Sequence, residues 1–145
     1  MKKFIVVFIV LCFMVGMLPL QGSAADTIAN INWQISSLTD MDNNSVTVSR
    51  PILSLDVDMG MSYFNVYGIL CSMDGANCMA TSGGGYLDQD PSDGSISVIM
   101  DLQIGSKTYR LKVALDTLSG TCAIYDHTGD IEAVGSIDLM GMNAK

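Results

Sequence analysis

A regular alternation of apolar and polar residues between Ser95 and Leu115 is the feature of this sequence that most restricts its fold. Its apolar members are Ile96, Val98, Met100 and Leu102 in the first half, and Tyr109, Leu111, Val113 and Leu115 in the second. A period of two is typical of β-strands with one buried face. Between the two runs lies Gly105-Ser106, which suits a two-residue type II′ turn with glycine at the first central position. The sequence therefore predicts a β-hairpin.

The turn also determines which residues of the predicted hairpin lie opposite one another. Counting outward from it, Met100 faces Leu111 on one side, and Asp101 faces Arg110 on the other. The remaining apolar pairs are Leu102 with Tyr109 and Val98 with Val113. Cross-strand pairs of like polarity and opposite charge stabilise a hairpin, so pattern and turn favour the same register.

The rest of the chain repeats this pattern of short apolar runs separated by turn residues. Further strands are predicted near 28–38, 52–58, 62–71, 78–87, 120–125 and 131–139, which with the hairpin makes about eight. The acidic residues favour this reading, because they are aspartates, which suit turns, with the single exception of Glu132. Short connections favour pairing of consecutive strands. We expect an all-β antiparallel meander that closes into an up-and-down β-barrel, with a two-sheet β-sandwich as the alternative.

Residues 1–24 have the layout of a secretory signal peptide. Two lysines precede an apolar run over Phe4–Leu18, and small residues lead up to Ala24. Such a signal is removed on export, which predicts a single all-β domain over residues 25–145. The run is short for a membrane span, so we expect no membrane insertion after signal cleavage. The expected location is the periplasm or the extracellular space.

The charge of the mature domain limits its partners. Without Lys2 and Lys3, five of the seven lysines and arginines remain against 15 acidic residues, so the formal charge is 5 − 15 = −10. A domain of this charge repels nucleic acid, which excludes a nucleic-acid partner.

Three cysteines follow the signal. Cys71 and Cys78 flank a predicted hairpin turn, and facing positions on paired strands lie roughly 5.5 Å apart between Cα atoms, within disulfide range. Export permits disulfides. We therefore predict a Cys71–Cys78 disulfide. Cys122 is left over, and we expect a buried free thiol in a monomer, with a Cys122-linked dimer as the alternative.

No arrangement of residues in the sequence points to catalysis or to a cofactor. His127 is the single histidine, and it lies in a run of turn residues. Neither a nucleophile elbow nor a histidine-carboxylate metal motif accompanies it. The prediction is a protein that is not an enzyme and has no cofactor.

Two groups of residues are weak candidates for metal binding. Oxygen ligands cluster at Asp88, Asp90 and Asp93, and also in the segment 40–44, as Ca²⁺ requires. Soft thioethers, which suit Cu(I), recur in two Met-Gly-Met pieces. These are Met59, Met61, Met140 and Met142.

These observations lead to a functional hypothesis with two alternatives. We expect an exported non-enzymatic β-domain that binds a small apolar ligand inside the fold or a macromolecular partner, such as a protein, at its surface. A cavity requires small inward residues, and large inward residues would move binding to the loops. The candidates for small inward residues are Gly68, Ala80, Gly83, Gly85, Ala123 and Gly135. The first alternative is a structural or interaction protein of the cell envelope or an extracellular assembly, and the second is a metal-binding module.

Overall fold

The computed structural model of the protein describes residues 27–59 and 63–144. Eight antiparallel strands form this part of the chain, and each pairs with its neighbours in sequence. Their bounds are β1 (Thr27–Asp40), β2 (Ile52–Met59), β3 (Phe64–Cys71), β4 (Cys78–Gln89), β5 (Ile96–Ile104), β6 (Lys107–Ala114), β7 (Gly120–Tyr125) and β8 (Ile131–Ala144). Pairing of β8 with β1 closes the sheet. The predicted up-and-down barrel is confirmed, and the two-sheet sandwich is not the observed fold. Residues 1–24, the predicted signal, lie outside the described residues.

The β5–β6 hairpin has the register that its alternation predicts. Met100 lies opposite Leu111, and Asp101 lies opposite Arg110. The Arg110 guanidinium donates two hydrogen bonds to the Asp101 carboxylate, of 2.7 and 2.8 Å. Gly105 has a φ of 61° while Ser106 does not have a positive φ, as a type II′ turn requires.

Large apolar side chains fill the inside of the barrel. Trp33 on β1 is buried, and its indole nitrogen donates a 2.8 Å hydrogen bond to the carbonyl oxygen of Leu118 in the β6–β7 connection. Fully buried members of this core include Leu53, Leu55, Val66, Leu102, Leu111, Cys122 and Ile137. Eight strands enclose a space just wide enough for side chains to fill, and here they fill it.

Glycines allow neighbouring strands to approach closely along the inner face. A Cβ atom on Gly83 of β4 would overlap the carbonyl oxygen of Asp101 on β5. An added Cβ atom would likewise overlap a backbone carbonyl oxygen of an adjacent strand at three further glycines, which are Gly68 on β3, Gly85 on β4 and Gly135 on β8. These four were expected to face inward, and they do, but the space beside them holds backbone rather than a cavity.

The two alanines expected on the inner face lie on the outer face instead. Ala80 on β4 is exposed and pairs with the outward residue Ile69 of β3. Ala123 on β7 pairs with Arg110 of β6, whose side chain also points outward. In each strand the residues immediately before and after the alanine point inward, so the alanine points outward.

Cys71 and Cys78 lie opposite each other at the end of the β3–β4 hairpin, at disulfide-bonding distance. Their Cα atoms are 4.1 Å apart, closer than the spacing expected from the sequence. The adjacent Ser72 N–H donates to the carbonyl oxygen of Asn77 at 2.9 Å. Ser72 and Asn77 are therefore a hydrogen-bonded pair, and the cysteines beside them form a non-hydrogen-bonded pair. In an antiparallel sheet the Cα atoms of such pairs lie closest.

Cys122 lies on the inner face of β7 and has no exposed surface. It pairs with Leu111 on one side and Gly135 on the other. Burial raises the pKa of its thiol to about 12, because the thiolate would lose its hydration inside the barrel.

Replacing Gly83 by alanine should destabilise the barrel strongly. The new methyl group would overlap the Asp101 carbonyl, so β4 and β5 must separate, and overpacking of this kind costs about 1–3 kcal/mol or more. Urea unfolding followed by the fluorescence of Trp33, the single tryptophan, measures the change. Gly141→Ala is the matched control, because no atom lies within 4 Å of the place its methyl group would take. Equal losses in the two variants would contradict the close approach.

Cys122 should resist alkylation in the folded protein. Iodoacetamide reacts with thiolates, and this thiol is both enclosed and held protonated. Mass spectrometry should find no added mass under native conditions and one added group after unfolding without reductant. A Thr121→Cys variant supplies the control, because residue 121 is exposed on the outer face of the same strand. If Cys122 reacts as quickly as a cysteine at position 121, the interior is accessible and the described packing is wrong.

Candidate functional site

Because side chains fill the inside of the barrel, the candidate surfaces lie on its outside. Open grooves on the outside include one beside the β7–β8 turn and one beside the β1–β2 connection. A third feature is the outer face of the first four strands.

A polar groove of about 480 Å³ lies between the β5–β6 hairpin and the β7–β8 turn. Its lining includes Arg110, whose guanidinium carbon lies 5.6 Å from the centre of the Tyr125 ring. Amide and hydroxyl groups of Gln103 and Thr108 line one side and hydrogen-bond each other at 3.0 Å. Gln103 and Thr108 therefore satisfy each other, and Asp101 already neutralises the guanidinium.

His127 lies at the edge of this groove, in the turn that the sequence predicts. The carboxylate beside it, Asp126, accepts hydrogen bonds from the Thr128 hydroxyl at 2.6 Å and from the Asp130 N–H at 3.0 Å. These bonds hold the pKa of Asp126 down at about 2, with the Thr128 hydroxyl as the largest cause. The acid next to the histidine thus stabilises the turn, and it does not orient the imidazole as an acid-base pair requires.

The second groove, of about 370 Å³, lies beside a bulge in β1. At this bulge the hydroxyls of Ser36 and Ser37 both contact the hydroxyl of Ser136, at 2.7 and 2.9 Å. A nucleophilic serine needs a base within hydrogen-bonding reach. Here the serine hydroxyls bond to one another, so the groove has the chemistry of a polar surface.

Two of the predicted calcium candidates, Asp90 and Asp93, serve as turn caps. Asp90 accepts hydrogen bonds from the hydroxyl and the N–H of Ser92, which lower its pKa. Asp93 caps Ser95 in the same way, and Asp88 lies 3.6 Å from Lys112. Across residues 27–59 and 63–144, no three acidic, histidine or cysteine side chains are grouped to hold a metal ion. A calcium role for these residues stays a prediction.

The three methionine candidates within the described ranges lie on β2 and β8, which are not adjacent. Met140 is exposed at a bulge in β8, and Met142 is half-buried opposite Ile31 of β1. Met59 ends β2, on the far side of β1 from β8. Met61 lies outside the described residues. The copper hypothesis therefore keeps only the sequence pattern as its support.

The described ranges contain four lysines and arginines, of which Arg50 lies in the β1–β2 connection. Three of them lie on β6, and each pairs with an acid of a nearby strand: Lys107 with Glu132, Arg110 with Asp101, and Lys112 with Asp88. The strands β1 to β4 contain no lysine or arginine at all, while their acids include Asp56 and Asp58 of β2. Charge is therefore divided unevenly around the barrel.

The outward-facing residues of β1 to β4, here called the acidic wall, also carry exposed apolar side chains. Tyr67 is 55% exposed and Ile69 is 42% exposed, next to each other on the outer face of β3. Their partners on β4 are small, since Tyr67 faces Ser82 and Ile69 faces Ala80. The small partners leave the ring and the aliphatic side chain open to solvent.

An outward apolar residue elsewhere on the barrel is covered by its neighbours. Ile99 on β5 points outward but is only 8% exposed, because its cross-strand partners are Tyr86 and Lys112, which are both long. The same sheet can therefore hide an outward aliphatic side chain when large partners flank it. On the acidic wall, the partners are small and the apolar surface stays exposed.

Sequence reasoning missed both the polar groove and the acidic wall. Their residues occupy the outward half of each alternating strand, where alternation shows only that a residue lies outside the core. One signal was present in the sequence. Tyr67 and Ile69 are apolar, although they occupy positions of β3 that the alternation assigns to the outer face, and the next strand along the chain is rich in glycine and other small residues. Reading the outer face of each strand would have found it.

Neutralising Asp126 should lower stability in a pH-dependent way. Its pKa is lower in the folded chain than in the unfolded chain, so the carboxylate stabilises the fold above about pH 4, and this stabilisation is lost as the pH falls towards 2. Asp126→Asn should therefore melt at a lower temperature than the native chain at pH 7, and the two Tm values should converge near pH 2. A difference in Tm that is the same at pH 7 and pH 2 would contradict this account.

Comparison with known proteins adds no relative. Within the described ranges, no helix is long and apolar enough to cross a membrane. No protein-family model, no curated protein and no solved structure matches the chain.

Proposed function

We propose that the protein is an exported, non-enzymatic binding domain that engages a macromolecular partner through the acidic wall. The observation that carries this proposal is the uncovered pair Tyr67 and Ile69 beside small residues of β4. Tyrosine is enriched at protein interfaces because its ring supplies contact area at a low entropic cost and its hydroxyl tolerates water. An outer sheet face with such a ring is a surface suited to another macromolecule.

The packed interior supports surface binding over internal binding. Trp33, Met100 and the fully buried leucines occupy the space that a small apolar ligand would need. Carriers that bind inside a barrel leave a cavity there, lined by apolar residues. In this barrel the small inward residues lie against backbone, so they do not supply one.

The polarity of the two barrel faces supports a domain that works in water. Apolar side chains point inward, while the outer face carries ion pairs such as Arg110 with Asp101 and Lys107 with Glu132. Barrels that span a bilayer have the reverse arrangement. This supports the absence of membrane insertion after signal cleavage.

Export is supported by two independent features. The cysteine pair at disulfide-bonding distance, Cys71 and Cys78, suits an oxidising compartment. Residues 1–24 have the composition of a secretory signal. The enclosed Cys122 thiol supports a monomer, since an intermolecular disulfide would require the barrel to open.

Site-specific photo-crosslinking in the exporting cells tests the proposal. A benzophenone amino acid at position 67 should give an adduct larger than the protein itself, identified after denaturing purification through a tag. The same amino acid at position 121 is the control, because Thr121 is exposed on the opposite part of the barrel. An adduct at 67 and none at 121 is the expected result. No adduct at 67, or equal adducts at both positions, would overturn the proposal.

A further inference from the structure

We infer that Arg50, in the β1–β2 connection, binds the carboxylate group of an organic ligand at one end of the barrel. The site is separate from the acidic wall, so this binding goes beyond the proposed function. Three observations support it: the inward turn of the connection, the lack of a partner for the Arg50 guanidinium within the described ranges, and the way in which Arg110 holds a carboxylate elsewhere in the barrel.

The β1–β2 connection leaves the sheet and turns inward at one end of the barrel. Its backbone is bonded to β1 at two places, because the Val46 N–H donates to the Leu38 carbonyl oxygen at 2.9 Å and the Ile35 N–H donates to that of Pro51 at 2.6 Å. Fewer residues of β1 than of the connection lie between these two bonds, so the connection must leave the ladder there. Val48, which lies in this excursion, packs against the buried core.

Arg50 lies in the same excursion, and its guanidinium is partly enclosed. The residue is half-buried, and its Nε atom is buried without a hydrogen-bond partner. Burial raises the pKa of Tyr109 on β6, across the barrel, and the positive charge of Arg50 acts against this rise, so the two side chains lie near each other. A cation drawn out of water in this way is destabilised unless an anion or hydrogen-bond acceptors compensate it.

No described residue forms an ion pair with Arg50. Of the four lysines and arginines in the described ranges, the other three each bond to a carboxylate. These three are Lys107, Arg110 and Lys112, and all of them are more exposed than a half-buried residue at the barrel end needs to be to stay hydrated. Arg50 is therefore the described cation that most needs a counter-ion, and the fold does not supply one.

The boundaries of the described ranges are distant from Arg50. Thr27, Met59 and Ala144 begin or end strands at the end of the barrel opposite to the β1–β2 connection. The stretch of β1 from Thr27 to Ile35, which bonds to the residue after Arg50, spans roughly 25 Å. The lack of an ion-pair partner thus concerns a part of the barrel that the structure describes.

Arg110 shows how a guanidinium of this barrel holds a carboxylate. Its Nε and Nη2 atoms donate to the two oxygens of Asp101 at 2.7 and 2.8 Å, and the Tyr125 ring lies beside it. Arg50 has the same planar group with Tyr109 nearby, but no acid. Since its Nε atom is enclosed, a ligand reaches the two terminal nitrogens, and this pair of donors matches the two oxygens of a carboxylate.

A carboxylate suits this position better than a phosphate. Both groups match the guanidinium, but a phosphate carries up to two negative charges, and the strongly acidic mature domain repels the second. Val48 and Tyr109, which both pack against the core, place apolar surface beside the guanidinium. Such surface favours the carbon skeleton of an organic acid over a bare inorganic ion. Phosphate is therefore an outcome of the test.

Nuclear magnetic resonance of the arginine side chains tests the inference on the mature protein. Its arginines are Arg50 and Arg110, so a ¹⁵N-labelled sample gives one Nε–Hε signal for each. Sodium benzoate, which is ionised at about pH 6, is titrated at constant ionic strength. The Arg50 signal should shift saturably, with a Kd of about 10 mM or lower for a probe of this size. The Arg110 signal should not move, because Asp101 already occupies its guanidinium.

Matched probes and variants separate a carboxylate site from general attraction of anions. Benzamide has the ring and shape of benzoate without its charge, and it should cause no shift. Arg50→Lys keeps the positive charge but loses the planar pair of donors, so it should weaken benzoate binding about threefold or more, read from the backbone amide signal of Val48. Arg110→Lys is the control and should leave the affinity unchanged, with circular dichroism showing that both variants remain folded.

Three results would overturn the inference. Equal shifts of the Arg50 and Arg110 signals would mean that benzoate acts only as a salt. No saturable shift of the Arg50 signal would mean that water alone accompanies this guanidinium. Saturation by inorganic phosphate at a lower concentration than by benzoate would replace the carboxylate by another class of anion. The crosslink at position 67 does not depend on any of these results, so the proposed function is tested separately.

Discussion

The structure depends on how tightly eight strands wrap around a filled interior. A barrel of this size has room for side chains and little else, so each strand must approach its neighbours without leaving gaps. Gly83 and Gly135 make this possible, because a methyl group at either position would overlap the backbone of the adjacent strand. The interior then closes around Trp33, whose indole nitrogen also ties β1 to the β6–β7 connection through Leu118.

The location of candidate chemistry is a consequence of the same packing. Since the interior is occupied, contact with another molecule is left to the outer face and the connections. There several polar groups already bond within the protein: Asp126 caps its turn, Asp90 caps its own, and Arg110 pairs with Asp101. Tyr67 and Ile69 are different, because their partners on β4 are too small to cover them. These two side chains therefore remain available to a partner, whereas the paired polar groups are already satisfied.

The sequence predicted the fold well because the fold is local. Each strand pairs with the next, so alternation and turn residues near Gly105 were enough for the hairpin register, and short connections were enough for the strand order. The extended end of β8 was not predicted, because Met140, Gly141 and Met142 show no alternation and join β1 through a bulge. The exposed surface around Tyr67 was not predicted for a similar reason. Exposure of Tyr67 is set by the size of Ser82 and Ala80 across the ladder, and which residues face each other is known only once the register is fixed.

Closure of the barrel has a consequence for how the chain folds. Seven of the eight strand pairings join neighbours along the chain, whereas the pairing of β1 with β8 joins Ala29 to Ala144, near the two ends of the described chain. Contacts between distant residues form slowly because the intervening chain must first lose its freedom. The hairpins can therefore form early, and the last step is the one that pairs the first strand, β1, with the last strand, β8. Only at that step does the interior around Trp33 lose its water, so the time course of tryptophan fluorescence during refolding reports barrel closure itself.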